Sequence, residues 1–310
     1  MRNLNIHITV LIFFIAGELF SQQLPAFRNR EFNTFILNPS AISSNVIPDI
    51  FLNHRSQWLG YEGAPRMSTL AGRYIFRPDM GLGLFLMSDS HGISQKTDIN
   101  LGYSYIIKTD DFNISLGLSW SVSQYRLAGT RIRIYDINDN VINNTIDDKS
   151  WKPDANAGIL FSGKYFYFGL SILQMFQTKY KFFGTDGEIP GIIKDERHYF
   201  ITGLYQLELN DEQNLLQPFA NLYFAKGTPF KFDFGISYLY NNKFQAALMF
   251  NKGDAISFTF GYLYERYTIS YSFDILISRI RNAGSGAHEI CLGVYLFDKK
   301  ISKTGSAPMF

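Results

Sequence analysis

Apolar and small polar residues alternate along most of this chain. In YTISYSFDIL, residues 267–276, Tyr267, Ile269, Tyr271, Phe273 and Ile275 are interleaved with Thr268, Ser270, Ser272 and Asp274. Side chains alternate across a strand, so one face is aromatic and the other small and polar. Ile114, Leu116, Leu118, Trp120 and Val122 oppose Ser115, Gly117, Ser119, Ser121 and Ser123 in the same way. Period-two segments predict strands over 49–58, 66–76, 80–88, 95–108, 112–127, 154–161 and 165–175. Seven more follow over 196–209, 215–225, 230–240, 244–251, 255–264, 267–277 and 287–297. Nearly all are long enough to cross a bilayer at a tilt, whereas ordinary soluble strands are shorter.

The connections sort by length. After even-numbered strands they are short: RPD at 77–79, TDD at 109–111, SGK at 162–164, NDEQN at 210–214, NNK at 241–243 and ER at 265–266. The long ones, 128–153, 176–195 and 278–286, follow odd-numbered strands. Short turns on one rim and long loops on the other predict an all-β fold, a transmembrane antiparallel β-barrel of about fourteen strands. The aromatic faces then meet lipid, while Asp274 and the serines line the lumen. Tyr238, Tyr262 and Tyr267, near strand ends, suit the interfacial girdles.

Composition agrees. Aromatic residues make up 16 % of the chain and charged residues 18 %, yet mean hydropathy is −0.06, as expected when half of each strand is polar. Residues 1–21 read as a secretory signal peptide: Arg2, an apolar stretch from Ile8 to Ala16, then a polar exit. Residues 22–47 fit no strand; Phe27, Phe32, Phe35, Ile36 and Leu37 beside Arg28 and Arg30 suit a plug or periplasmic segment, best placed in the barrel lumen. The barrel proper is expected over 48–298, with a periplasmic tail at 299–310. The formal charge of +2 and the lack of a basic run argue against a nucleic-acid partner. One cysteine, Cys291, allows no internal disulfide.

Little in the chain points to chemistry, and no enzyme activity, cofactor or metal is expected. His54, His91, His198 and His288 are each more than ten residues apart, so no metal-ligand spacing exists. His288 and Glu289 are strand neighbours and point to opposite faces. Asp136, Asn138 and Asn140 start like a calcium loop, but Val141 stands where glycine is required and Asp147 where the bidentate glutamate belongs. The glycines of GLGL at 81–84 suit a wall that a plug approaches closely.

The stretch HRSQWLGYEGAPRMSTL, residues 54–70, resembles the PorP/SprF family of outer-membrane proteins of the type IX secretion system through Arg55, Gln57, Trp58, Gly60, Gly63, Ala64, Pro65 and Thr69. Asn38 and Pro39 upstream, residues 81–105, and GAHEICLGVYL at 286–296 with His288 and Glu289 extend the likeness. Ser40 and Ala41 depart from the family pattern after Asn38–Pro39, as does Ala287 before His288. Gly63–Ala64–Pro65 reads as a stiff turn on the outer rim. Arg55 shares a face with Gln57 and could pair with Glu289 on the closing strand. These motif residues either close and anchor the barrel or touch a partner.

The resemblance implies a non-enzymatic barrel in the outer membrane of a Gram-negative bacterium. It would act in secretion and gliding motility, helping to export or anchor a surface adhesin by binding its C-terminal domain, beside other translocon components. Tyr135, Trp151, Phe182 and Phe183 in the long loops are the aromatic anchors expected to receive the partner. The alternative is a channel for small hydrophobic solutes with an N-terminal hatch. The Ser, Gly, Asn and Thr of the lumen faces favour the first reading.

Overall fold

The computed structural model describes residues 27–44, 47–128, 147–182, 191–209, 211–278, 281 and 284–297. The first half of the wall is β1 (Asp49–Gln57), β2 (Arg66–Arg77), β3 (Met80–His91), β4 (Ser94–Lys108), β5 (Asn113–Ala128), β6 (Asp147–Ser162) and β7 (Phe166–Leu173). A small hairpin, β8 (Lys179–Phe182) and β9 (Gly191–Lys194), stands apart from it. The wall resumes with β10 (His198–Tyr205) and its continuation β11 (Leu207–Leu209), then β12 (Asp211–Ala225), β13 (Lys231–Tyr240) and β14 (Phe244–Asn251). It ends with β15 (Ala255–Tyr264), β16 (Tyr267–Leu276) and β17 (Ala287–Tyr295). Every wall strand is antiparallel to its neighbours, and β1 pairs with β17 from Asp49↔Tyr295 to Gln57↔Ala287, so the fourteen-stranded sheet closes on itself. Closure removes the open edges whose backbone groups lipid could not satisfy.

The two faces of the wall divide as the alternation predicts. On β16, Thr268, Ser270, Ser272 and Asp274 are buried, while Tyr267, Ile269, Tyr271 and Ile275 are exposed outward. On β5, Ser115, Ser119, Ser121 and Ser123 face inward and Leu116, Leu118 and Trp120 outward. No helix among the described residues is long and apolar enough to cross a membrane; the crossing is made by strands.

Several sequence-based bounds need correction. The predicted sixth strand, 154–161, begins seven residues earlier, because the polar run from Asp147 keeps pairing with β5 although it lacks the apolar alternation. Trp151 therefore lies on β6 opposite Gln124 and not in a loop. The loop expected at 176–195 contains the β8–β9 hairpin. The single strand predicted over 196–209 is interrupted at Gln206, whose side chain turns into the buried lumen and bonds Gln217 at 3.3 Å. The signal peptide, Tyr135, Phe183, the Asp136–Asn140 motif and the tail lie outside the described residues.

Residues 27–44 run through the lumen. Helix α1 (Arg30–Leu37) leads through Asn38 into a 3-10 turn, Pro39–Ser44, in contact with β2 to β6. Phe35 meets Phe85 on β3 edge-on, with ring centroids 6.3 Å apart, and Phe27, Ile36, Ala41 and Ile42 join the same buried cluster. The chain then rises as β1 from the short-turn rim.

Candidate functional site

The seam where the first and last strands meet carries a dense polar cluster of the lumen. Odd-numbered residues of β1 face inward, which puts Asn53 and Arg55 there. Register places Glu289 directly opposite Arg55, Ser272 opposite Glu289, and Asp274 two residues further along β16. Arg55 Nη2 donates to Asp274 at 2.6 Å and its Nη1 to Glu289 at 3.4 Å, the pairing anticipated for Arg55. All three side chains are almost wholly buried. Such charges persist in a low-dielectric site only when paired and hydrogen-bonded.

The third party is Arg28, from the lumen segment. Its Nε donates to both Asp274 oxygens at 3.2 and 2.9 Å, Nη1 to Asn251 at 2.8 Å and Nη2 to Asp254 at 3.0 Å. Glu289 meanwhile accepts the backbone amides of Arg28 and Asn29 at 2.8 and 2.9 Å, and Asn29 Nδ2 at 3.0 Å. Asn53 Nδ2 adds a fourth bond at 3.2 Å, and Arg55 the fifth. Ser270 donates to Asn29 Oδ1 at 2.7 Å. Glu289 thus fastens the segment by its main chain and Asp274 by its side chain, at the end of the lumen near the outer turn carrying Asp254. In the sequence Arg28 stands out only as one charge among apolar neighbours. Its partners lie more than 220 residues away, beyond the reach of any local pattern.

The lower part of the segment sits in a seam of glycines. A Cβ on Gly117 would lie 2.1 Å from Ser40 N, one on Gly158 1.9 Å from Asn38 Oδ1, and one on Gly83 2.8 Å from Ile42. Only glycine lets the backbone of Ser40 and the side chains of Asn38 and Ile42 come this close. Asn38 is fully buried and caps the arrangement: its Oδ1 accepts Ser40 N and Oγ at 3.1 and 2.6 Å, and its Nδ2 reaches the carbonyls of Ile159 and Leu170 at 3.4 Å. Pro39 opens the turn that follows. At the inner rim, Arg73 binds Asp49 opposite it and stacks its guanidinium 5.5 Å from the Phe35 ring centre.

The remaining motif residues build the outer rim. Gln57 ends β1 and its N–H donates to Pro65 O at 2.9 Å, closing the loop. Trp58, Gly60 and Gly63 all take left-handed φ, at 49°, 93° and 75°. Gly63 O accepts Gly92 N at 2.8 Å, and Ala64 N bonds Tyr61 O at 3.2 Å. Leu59 exchanges backbone bonds with Ser285 and Gly286, so this loop braces the β16–β17 connection. His288 points outward, its Nδ1 2.5 Å from Tyr271 Oη, on the face opposite Glu289.

Across the mouth, the β8–β9 hairpin folds inward. Tyr180 is fully buried against Tyr125, with ring centroids 5.5 Å apart, and its hydroxyl lies 3.1 Å from Asp195, which also accepts Lys96 Nζ at 2.9 Å. Burial pushes the Tyr180 hydroxyl pKa up, so it stays protonated. Phe182 ends β8, and Trp151 is exposed on the outward face of β6. Among the described residues no group of His, Cys, Asp and Glu is arranged to hold a metal. Between α1 and strands β7, β10, β12, β14 and β15 a cavity of about 40 Å³ remains, room for roughly three waters.

Known proteins place this architecture. The toluene transporter TbuX of Ralstonia pickettii is 9 % identical, with a TM-score of 0.53 over 85 % of this chain and 93 % of its own. The Acinetobacter baumannii outer membrane protein Omp33 is 7 % identical, with a TM-score of 0.46 over 81 % and 98 %. The KdgM porin is 11 % identical, with a TM-score of 0.40 over 80 % and 99 %. At this identity the likeness to TbuX is one of fold. No curated protein matches the chain. The family described as type IX secretion system membrane protein PorP/SprF matches residues 19–294. With its inside-out barrel and its motif residues at the seam, the outer rim and the lumen turn, the chain belongs to the PorP/SprF family of type IX secretion membrane proteins, in the outer membrane of a Gram-negative cell.

Proposed function

We propose that the barrel is a non-enzymatic docking protein of the type IX machinery, which helps export or anchor a surface adhesin by binding its C-terminal domain at the outer rim. The observation that carries this reading is the fastening of residues 27–44 inside the lumen by Asp274 and Glu289. A lumen filled by a segment held through buried charges suits a fixed platform better than an open passage. The hairpin pinned by Tyr180 and Asp195 gives that platform a preorganised outer surface, which lowers the ordering cost of binding. The test is an exchange of residues 129–146 and 176–195 for unrelated loops in the native strain. Adhesin display should be lost while the barrel stays in the outer membrane; full display would dismiss the reading.

A second reading, a channel for small hydrophobic solutes, draws on the apolar part of the cavity, where Leu37, Phe200, Leu204, Phe219 and Met249 meet. It requires the lumen segment to move, since the present space is too small for such a solute. Faster uptake of a monoaromatic solute into liposomes holding the Arg28→Ala barrel, with adhesin display intact, would favour it.

A further inference from the structure

The outward face of the wall is not uniform around the barrel. From β1 to β5 one cross-strand row is apolar, Leu52, Leu70, Leu86, Ile99 and Val122, following the pairing register. One step towards the outer rim the row becomes His54, Ser68, Ser88, Thr97 and Gln124, and reaches Trp151 on β6. The next step is Ser56, Arg66, Ser90, Gln95, Arg126 and Lys149. His54, Arg66, Ser68, Lys149 and Trp151 are exposed, and the others in the two rows are half-buried.

Depth fixes what these rows meet. Below them β4 presents Ile99, Leu101, Tyr103, Tyr105 and Ile107 outward. That run is about 27 Å along the strand, roughly 20 Å in height at the usual tilt, close to the ~25 Å apolar band of such barrels. On β4 the polar residues Thr97 and Gln95 therefore begin at the level of the outer-leaflet headgroups. On the opposite wall the outward residues stay apolar up to the turns: Phe232 and Phe234 on β13, Phe250 on β14, Ile256 on β15 and Ile275 on β16. There Lys252 lies over the Phe232 ring, 5.2 Å from its centre. The β1–β6 wall thus carries polar and basic residues outward near its outer end, where the opposite wall is apolar.

We infer that the β1–β6 wall is a binding surface for the phosphorylated saccharide headgroup of an outer-leaflet glycolipid. The hydroxyls and amides of Ser56, Ser68, Ser90, Gln95 and Thr97 supply donors and acceptors for sugar hydroxyls. Arg66, Arg126 and Lys149 supply positive charge for phosphate. Trp151 offers a flat apolar surface beside them.

The test uses the full-length protein in detergent, with native mass spectrometry of bound diphosphorylated lipid A, dephosphorylated lipid A and phosphatidylglycerol. Losing one cation at this depth weakens binding roughly fivefold, so the R66Q/K149Q double variant should bind diphosphorylated lipid A about twenty-fivefold more weakly. K252Q on the opposite wall should stay within about twofold of the parent, since it leaves the proposed surface untouched. Heat-modifiable migration in gels confirms that each variant is folded. Equal binding by R66Q/K149Q, equal preference for phosphatidylglycerol, or an equal loss in K252Q would each overturn the assignment. So would dependence on Arg66 and Lys149 of a bound protein instead of lipid.

Discussion

Replacing Glu289 with Gln should release the lumen segment without opening the barrel. The carboxylate accepts five donors, two of them the backbone amides of Arg28 and Asn29. The amide keeps the shape but removes the charge, and turns an NH₂ towards groups that are themselves donors. Asp274 is then left with two buried guanidiniums, Arg28 and Arg55. Removing one partner of a buried ion pair costs about 3–5 kcal/mol, and each 1.4 kcal/mol is roughly tenfold in an equilibrium. The unfastened segment should gain roughly 100- to 4,000-fold in population. Hydrogen–deuterium exchange on the purified barrel would read this directly: amides of residues 28–37 should lose protection by that factor, while those of β3 to β6 keep theirs. Glu289→Asp, which keeps the charge, should recover part of the loss. If segment protection stays within about threefold of the parent, or falls equally in the wall strands, the fastening described here is wrong.

Other outcomes follow from the same geometry. Gly117→Ala should displace the 3-10 turn at a cost of about 1–3 kcal/mol, seen as faster exchange at residues 38–44. Gly203→Ala should be silent there, because its nearest neighbour is 3.9 Å from the new carbon. Asp49→Asn should lower thermal stability, since it strands the buried Arg73 at about 3–5 kcal/mol; a melting curve followed by heat-modifiable migration would show it. The pKa of Tyr180 is raised in the docked hairpin, so ionisation is open only to the undocked one. Raising the pH through the ordinary tyrosine range, about 10, should therefore weaken docking. Proteolysis of the hairpin should rise with pH, and Tyr180→Phe should flatten that dependence.

The alternation along YTISYSFDIL was enough to orient β16, because lipid on one side and a polar lumen on the other impose opposite demands on adjacent residues. The sorting of turn lengths was equally legible, and the pairing of Arg55 with Glu289 follows once β1 and β17 are known to close the sheet. What could not be read arises where those demands lapse. Above the apolar band β6 loses its alternation, with Trp151 as its lone large apolar residue, so its first seven residues look like loop. The lumen segment has no strand period; its eight-residue helix carries Phe32, Phe35 and Ile36 at helical spacing, a run too short to stand out in the sequence. The role of Arg28 is set by Asp274 and Glu289 arriving from the far end of the chain.

The segment made first is bound by the strands made last. Arg28 and Asn29 wait for β16 and β17, while Asn38 to Ile42 lie on β3 to β7, so the sheet must wrap around its own leader like a stave cask around a mandrel. A chain stalled before β16 would lack both the closing seam and the carboxylates that grip the core piece. Completion of the cylinder and seating of its contents are therefore one event, and an assembly factor that senses either would sense both.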